Sequence, residues 1–375
     1  MEIVVNTRLL IKDKLEGIGW FTFETLKRIT QNHPDDHFVF LFDRDFDEEF
    51  LFADNITPII LSPPARHPFL FYWWFEFSVA SFLNKFKPDL FVSPDGYLSL
   101  RSNCKQLAVI HDLNFEHYPN DVSFLVRKYY RYFFPKFARK ATRIATVSEF
   151  SKNDIHQQYG ITPSLIDVVF NGCNEKFIPV DEEIKLATKQ QYTSGCEYFV
   201  FVGALHPRKN ISRLFQAFDS FKTKQKNNVK LVIVGEKYYW TSEIKMTYLK
   251  MKHKEDVVFT GRLSQVELRK VIASALALTY VPYFEGFGIP ILEAFNCDVP
   301  VITSNVTSMP EVAGDAALLV DPFSVDSIEK AMSSIFSNQT LRNELIQKGR
   351  KRKLDFDWDK TASALWESVM KTIHS

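Results

Sequence analysis

No apolar run in this sequence approaches the ~18 residues that a membrane-spanning helix needs. Cysteine is scarce. Cys104, Cys173, Cys196 and Cys297 form no C-x-x-C pair, which excludes a disulfide or zinc framework and suits reduced thiols. Charge of one sign is also missing: 46 Lys and Arg balance 45 Asp and Glu, so the net charge of +1 gives no case for nucleic-acid binding. No basic-then-apolar leader opens the chain, which enters Ile3-Val4-Val5 at once; the expectation is a cytoplasmic protein. The stretch Gly17-Ile-Gly19-Trp-Phe-Thr22 lacks the third glycine of Gly-x-Gly-x-x-Gly, which argues against a nicotinamide-dependent dehydrogenase.

What is present is a soluble α/β pattern long enough for two domains. The 375 residues are 46% hydrophobic and 24% charged, as in ordinary globular proteins. Short apolar runs that read as buried strands alternate with amphipathic stretches that read as helices. In the first half the strands are expected at Glu2–Asn6, His37–Asp43, Asp89–Ser93, Gln106–Ile110, Ile144–Val147 and Ile166–Phe170. In the second they are expected at Tyr198–Val202, Lys230–Gly235, Val257–Thr260, Ala275–Val281, Val299–Thr303 and Ala317–Val320. The polar, turn-rich segment 179–196 reads as a hinge between domains 1–178 and 197–355, with a last helix over 356–375.

One stretch carries chemistry. After the apolar run Ala275–Val281 come Glu285-Gly-Phe-Gly288 and then Ile289-Pro-Ile-Leu-Glu293. Gly286 and Gly288 allow a tight turn and a close approach of backbone. Pro290 suits the first turn of a helix, where its missing N–H costs nothing. A helix N-terminus presents unpaired amides that attract phosphate. Two carboxylates beside such a site repel phosphate, so they make sense as acceptors from hydroxyl groups on either side of it. A nucleotide sugar has that layout: ribose, diphosphate, hexose.

Glu285-Gly-Phe-Gly-Ile-Pro-Ile-Leu-Glu293-Ala resembles the Glu-x7-Glu signature of retaining glycosyltransferases of family 4. The resemblance implies a GT-B fold, two Rossmann-like α/β domains facing each other across a cleft. It places Glu285 against the donor sugar and Glu293 on the ribose hydroxyls. It extends to Pro207-Arg208-Lys209-Asn210, whose basic pair would hold the donor phosphates, and to Gly17 and Gly19, which would face the diphosphate. By the same resemblance His111, ending a strand, points toward the donor sugar. Gly203, Arg262, Leu263, Gly286, Phe287, Gly288 and Ile289 complete the implied donor contacts.

The resemblance implies an enzyme without a cofactor or metal, since Arg208 and Lys209 can neutralise a departing diphosphate. Asp43-Arg-Asp45 could be taken for a metal-binding Asp-x-Asp, but the acidity continues through Asp47-Glu-Glu as a surface patch. The His111-Asp-Leu and Pro207-Arg-Lys-Asn forms are most similar to those of bacterial mannosyltransferases. GDP-mannose is therefore the first expectation for the donor and a UDP-sugar the second, with a saccharide or lipid-linked saccharide as acceptor. A non-catalytic sugar-nucleotide-binding subunit, or an epimerase or hydrolase of the same fold, stays open. The 35 Phe, 14 Tyr and 6 Trp gather partly in 66–86 and 126–140. Each stretch reads either as an ordinary packed helix or as a contact with a membrane surface at the inner face of the cytoplasmic membrane. In 126–140 a break is expected near Pro135.

Overall fold

The computed structural model describes residues 1–237 and 240–375, which form two compact units. Unit 1 comprises 1–171 and 358–375; unit 2 comprises 172–357. The chain thus divides at 171/172, earlier than the expected 178. The expected hinge 179–196 holds a helix, Glu182–Thr193, capped by Asp181 accepting from the Ile184 amide at 2.8 Å. The three-residue pattern of Asp181, Glu182 and Glu183 marks a helix start, which a reading of the segment as polar linker overlooks.

Unit 1 is built on seven parallel strands: β1 (Glu2–Asn6), β2 (His37–Phe42), β3 (Ile56–Ile60), β4 (Leu90–Ser93), β5 (Gln106–Val109), β6 (Arg143–Thr146) and β7 (Ile166–Val168). Their order is β3-β2-β1-β4-β5-β6-β7. The strand β3, absent from the sequence reading, is an edge strand that carries Pro58; proline is tolerated there and obscures the pattern. The last helix, Trp358–Ile373, belongs to this unit. Its Asp359 pairs with Arg28 at 2.5 Å, and its Trp366 stacks on His33 with centroids 3.8 Å apart.

The aromatic stretch 66–86 divides into a helix Pro68–Trp73, a π-helical turn Trp74–Val79 and a helix Ala80–Phe86. Its inner face is core: Trp74 and Phe75 are fully buried, with Phe75 stacked on Tyr97. The helix Phe124–Lys140 runs unbroken through Pro135. Buried Phe134 and Phe137 pack on Tyr97 at 5.3 and 6.0 Å on either side of the proline. This packing overrides the local penalty of the missing amide donor.

Unit 2 has six parallel strands: β8 (Tyr198–Val202), β9 (Lys230–Val234), β10 (Val257–Gly261), β11 (Ala277–Tyr280), β12 (Val301–Ser304) and β13 (Ala317–Val320). Their order, β10-β9-β8-β11-β12-β13, is that of a Rossmann half-sheet pair, with the switch point between β8 and β11. Strands β8 and β11 are buried along their whole length, so they read as continuous apolar runs. Ligands of such sheets sit beyond the carboxyl ends of the strands at the switch point. Among the described residues no helix is long and apolar enough to cross a membrane.

Candidate active site

Three neighbouring strands of unit 2 run into glycine at their carboxyl ends: Gly203 follows β8, Gly235 follows β9 and Gly261 closes β10. Gly203, Gly235 and Gly261 all have positive φ, at 140°, 148° and 70°. The Gly203 amide donates to the Val234 carbonyl at 2.9 Å, and the Gly235 amide to the Gly261 carbonyl at 3.0 Å. A Cβ on Gly235 would lie 2.0 Å from the Gly203 carbonyl oxygen, so the strand ends touch backbone to backbone. Gly235 was not among the expected site residues. Its signal was the repeated Val-Gly or Thr-Gly at the end of each apolar run.

Beyond β8 the chain makes a short turn, Pro207–Lys209, which His206 caps by accepting from the Arg208 amide. Asn210 follows in the left-handed region at φ 63° and is 2% exposed. Its amide donates to the carbonyls of Val281 at 3.0 Å and Pro322 at 2.6 Å. The Tyr283 amide donates to the Arg208 carbonyl at 3.0 Å. These bonds fasten the basic turn to the loop that leaves β11. As a result Arg208 and Lys209 meet Glu285: Arg208 Nη1 lies 3.0 Å from Glu285 Oε2, and Lys209 Nζ donates to the same oxygen. The Tyr280 hydroxyl donates to it as well, at 2.9 Å. The two cations and these hydrogen bonds outweigh the effect of burial and hold the Glu285 carboxyl down at about 2. It is an anion at every physiological pH.

Ser308, fully buried, shares its hydroxyl hydrogen between the Glu285 carbonyl at 2.8 Å and the Phe287 carbonyl at 3.3 Å. With those carbonyls drawn toward Ser308, the glycine loop is fixed from behind. Gly288 follows at φ 102°, and a Cβ there would meet Met309 at 2.7 Å. The helix Ile289–Asn296 then begins, with Pro290 in its first turn and no acidic residue there. Phe287 is buried against Phe356 and shapes the loop from inside. Glu293 is part-buried, and its carboxylate has no hydrogen-bond or ion-pair partner among the described residues. Burial alone pushes it up to about 7. One loop and helix therefore carry two carboxyls driven in opposite directions. Arg262 is exposed and Leu263 part-buried just after Gly261.

Unit 1 holds the remaining expected residues. Gly17 and Gly19 form the first turn of the helix Gly17–Asn32, whose leading amides have no acceptor within the helix. Gly19 is there for packing, since a Cβ would sit 3.1 Å from the Leu9 carbonyl, whereas a Cβ on Gly17 would meet open space. His111 follows β5. Its Nε2 lies 2.8 Å from the Pro94 carbonyl, which can only accept, so Nε2 carries the proton. Burial holds the ring's pKa below its ordinary value. Phe21, one turn on from Gly17, packs edge-on to the His111 ring at 5.0 Å. Asp45, Glu48 and Glu49 are exposed, as a surface patch requires, but Asp43 is not. It is 1% exposed, and both its oxygens are taken by Arg44, at 2.6 and 2.7 Å, with the Ala65 amide adding a third bond. Among the described residues no group of three His, Cys, Asp or Glu side chains could hold a metal ion.

Two parallel α/β units of seven and six strands match the fold of solved GT-B glycosyltransferases. Anabaena HepE in complex with UDP and glucose shares that fold at a TM-score of 0.76, with 98% of this chain and 99% of that one covered at 16% identity. Residues 16–177 match the family model described as Glycosyltransferase Family 4, and 185–352 match Glycosyl transferases group 1. The O-antigen chain mannosyltransferase B of Escherichia coli is 26% identical over 376 residues, spanning 96% of this chain and 97% of that protein. The O-antigen chain mannosyltransferase RfbU of Salmonella typhimurium is 29% identical over 230 residues, 61% of this chain and 60% of that protein. The chain belongs to glycosyltransferase family 4, group 1.

Proposed function

We propose that the enzyme transfers a hexose, mannose in the first place, from GDP-mannose to a saccharide or lipid-linked saccharide with retention at the anomeric carbon; a UDP-sugar is the second choice of donor. The observation that carries this reading is the convergence of Arg208 and Lys209 on Glu285 beside glycine-ended strands. The mannosyl choice leans on the names of the relatives.

Breaking a glycosyl–phosphate bond puts negative charge on the diphosphate and positive charge on the anomeric carbon. Arg208, Lys209 and the amides opening the helix Ile289–Asn296 supply fixed positive charge to the first. These groups need no metal to do so, and we propose metal-independent transfer. Glu285, permanently ionised, orients the hexose. Glu293 accepts from the ribose hydroxyls, and its burial without a partner supports a role completed only by a ligand. His111, neutral with its proton on Nε2, is assigned to the hexose side, and Gly17 with its open approach to the diphosphate. The acceptor hydroxyl enters from the face that the diphosphate leaves.

The decisive assay incubates GDP-mannose with a mannose-terminated acceptor in excess EDTA and reads the product anomer by NMR. An α-linked product made at the metal-replete rate supports the reading. Inverted product, or dependence on added Mn²⁺ or Mg²⁺, overturns retention or metal independence respectively. Consumption of donor with no acceptor requirement identifies a hydrolase or epimerase instead.

The outer faces of two unit 1 helices favour a lipid-linked acceptor. Phe69 and Trp73 are 72% and 53% exposed, and Phe124 and Tyr132 are 55% and 58% exposed. Lys128 lies over the Phe124 ring at 4.6 Å and Lys136 over Tyr132 at 3.6 Å. Exposed aromatics interleaved with bases fit an anionic bilayer surface. Binding to phosphatidylglycerol vesicles, lost in Phe124→Ser/Tyr132→Ser and in pure phosphatidylcholine, is the expected result.

A further inference from the structure

Glu285 is coordinated on one side only. Lys209 Nζ, Arg208 Nη1 and the Tyr280 hydroxyl all meet its Oε2. None of the described residues donates to Oε1, although the side chain is only 12% exposed. The residue that ties this arrangement together is Tyr280. It ends β11 and is 1% exposed, with its ring stacked on Phe201 and the Lys209 ammonium 4.9 Å above it. Lys209 Nζ also donates to the Tyr280 hydroxyl. An ammonium can only donate, so the phenol accepts from Lys209 and its single proton goes to Glu285. The direction of the relay is therefore fixed.

A carboxylate held at one oxygen by two cations and a rigid phenol has little freedom to rotate. Its other oxygen keeps its lone pairs and its place. We infer that Tyr280 is a positioning residue that locks Glu285 Oε2 inward and leaves Oε1 as the acceptor for a hydroxyl of the transferred sugar. This rests on the donor-site reading above and adds which atom of Glu285 meets the sugar and what aims it. Tyr280 touches neither sugar nor phosphate; it acts through Glu285 and Lys209. A merely structural tyrosine exists on the neighbouring strand for comparison. Tyr198 of β8 is fully buried and donates to the Val271 carbonyl at 2.6 Å, with no part in the cation cluster.

The test separates sugar affinity from phosphate affinity and needs no acceptor. Calorimetry measures GDP-mannose against GDP, UDP-glucose against UDP and ADP-glucose against ADP, on wild type, Tyr280→Phe and Tyr198→Phe, with a thermal melt of each. The quantity read is the ratio of nucleoside-diphosphate Kd to nucleotide-sugar Kd for the pair that wild type binds. Tyr280→Phe is expected to keep its nucleoside-diphosphate Kd within about twofold while the sugar's extra affinity falls about tenfold, the size of one hydrogen bond to a charged group. Tyr198→Phe is expected to melt earlier with an unchanged ratio. Glu285→Gln should lose the same sugar increment, which keeps the inference testable if Tyr280→Phe folds poorly. A wild-type ratio in folded Tyr280→Phe, or equal loss of phosphate and sugar affinity, overturns the inference. A wild type that binds none of these compounds overturns the donor-site reading instead.

Discussion

Replacing Glu285 with Gln keeps the shape of the side chain and removes one charge, and its three consequences have different signs. The first is stability. The carboxyl falls from 4.5 to about 2 on folding, which corresponds to about 3 kcal/mol at neutral pH for a side chain 12% exposed. Because the folded value is the lower one, that stability is fully present above the unfolded value of 4.5 and is lost as pH falls toward about 2. The second is phosphate affinity. In the ligand-free protein Glu285 competes with any incoming anion for Arg208 and Lys209. Even at an effective dielectric constant of ~20 a close charge pair interacts by several kcal/mol, so releasing the cations, after desolvation, should tighten GDP binding about tenfold. The third is turnover, which should fall about hundredfold as the sugar loses its anionic partner. Urea titrations at pH 7 and pH 3, GDP calorimetry and a donor-consumption assay on one protein preparation read all three. Weaker GDP binding in the variant would mean that Glu285 builds the phosphate site and does not compete for it.

Glu293 runs the other way. Its folded value, about 7, lies above the ordinary 4.5, so wild-type stability falls as pH rises between these values. Glu293→Gln should therefore be more stable than wild type by about 1–3 kcal/mol at pH 8 and equal to it near pH 4.5, checked by denaturant melts at both. Gly235→Ala should fail to give soluble protein or lose several kcal/mol, since its Cβ would meet the Gly203 carbonyl at 2.0 Å. Gly17→Ala, at the first residue of its helix, should leave the melting temperature unchanged or slightly raised while donor consumption falls more than tenfold; unchanged turnover would remove Gly17 from the proposed diphosphate contacts. Ser308→Ala should leave the fold intact and slow transfer about tenfold by freeing the Glu285 and Phe287 carbonyls, measured as a loss in kcat at constant GDP affinity.

The sheets were legible because buried parallel strands such as Tyr198–Val202 and Ala277–Tyr280 are mostly apolar runs that lead into a glycine or proline, Gly203 and Pro282. Ile56–Ile60 escaped because an edge strand tolerates proline and half-exposed positions. Helix Glu182–Thr193 escaped because its face is mostly polar, with two buried residues, both threonine. The unbroken helix through Pro135 depends on rings of Tyr97 and Phe137, which are distant in sequence from each other. At the candidate site, Arg208, Lys209 and Glu285, which the fold brings together, lie in stretches that motif and spacing single out. What Tyr280, Asn210, Ser308 and Gly235 do was not legible there. They work through the direction of a phenol proton, a left-handed turn, a shared hydroxyl and a backbone contact, which composition and periodicity do not encode. Tyr280 in particular reads as one more apolar residue of a buried strand until Lys209 and Glu285 are seen to meet it.

The most direct test is a crystal structure of the enzyme with GDP-mannose, or with UDP-glucose if calorimetry prefers uridine. The expected result is diphosphate oxygens within hydrogen-bond reach of Arg208 and Lys209, ribose hydroxyls on Glu293 and a hexose hydroxyl on Glu285 Oε1. Ordered nucleotide sugar bound elsewhere, with Arg208 and Lys209 still closed on Glu285 Oε2, would contradict it.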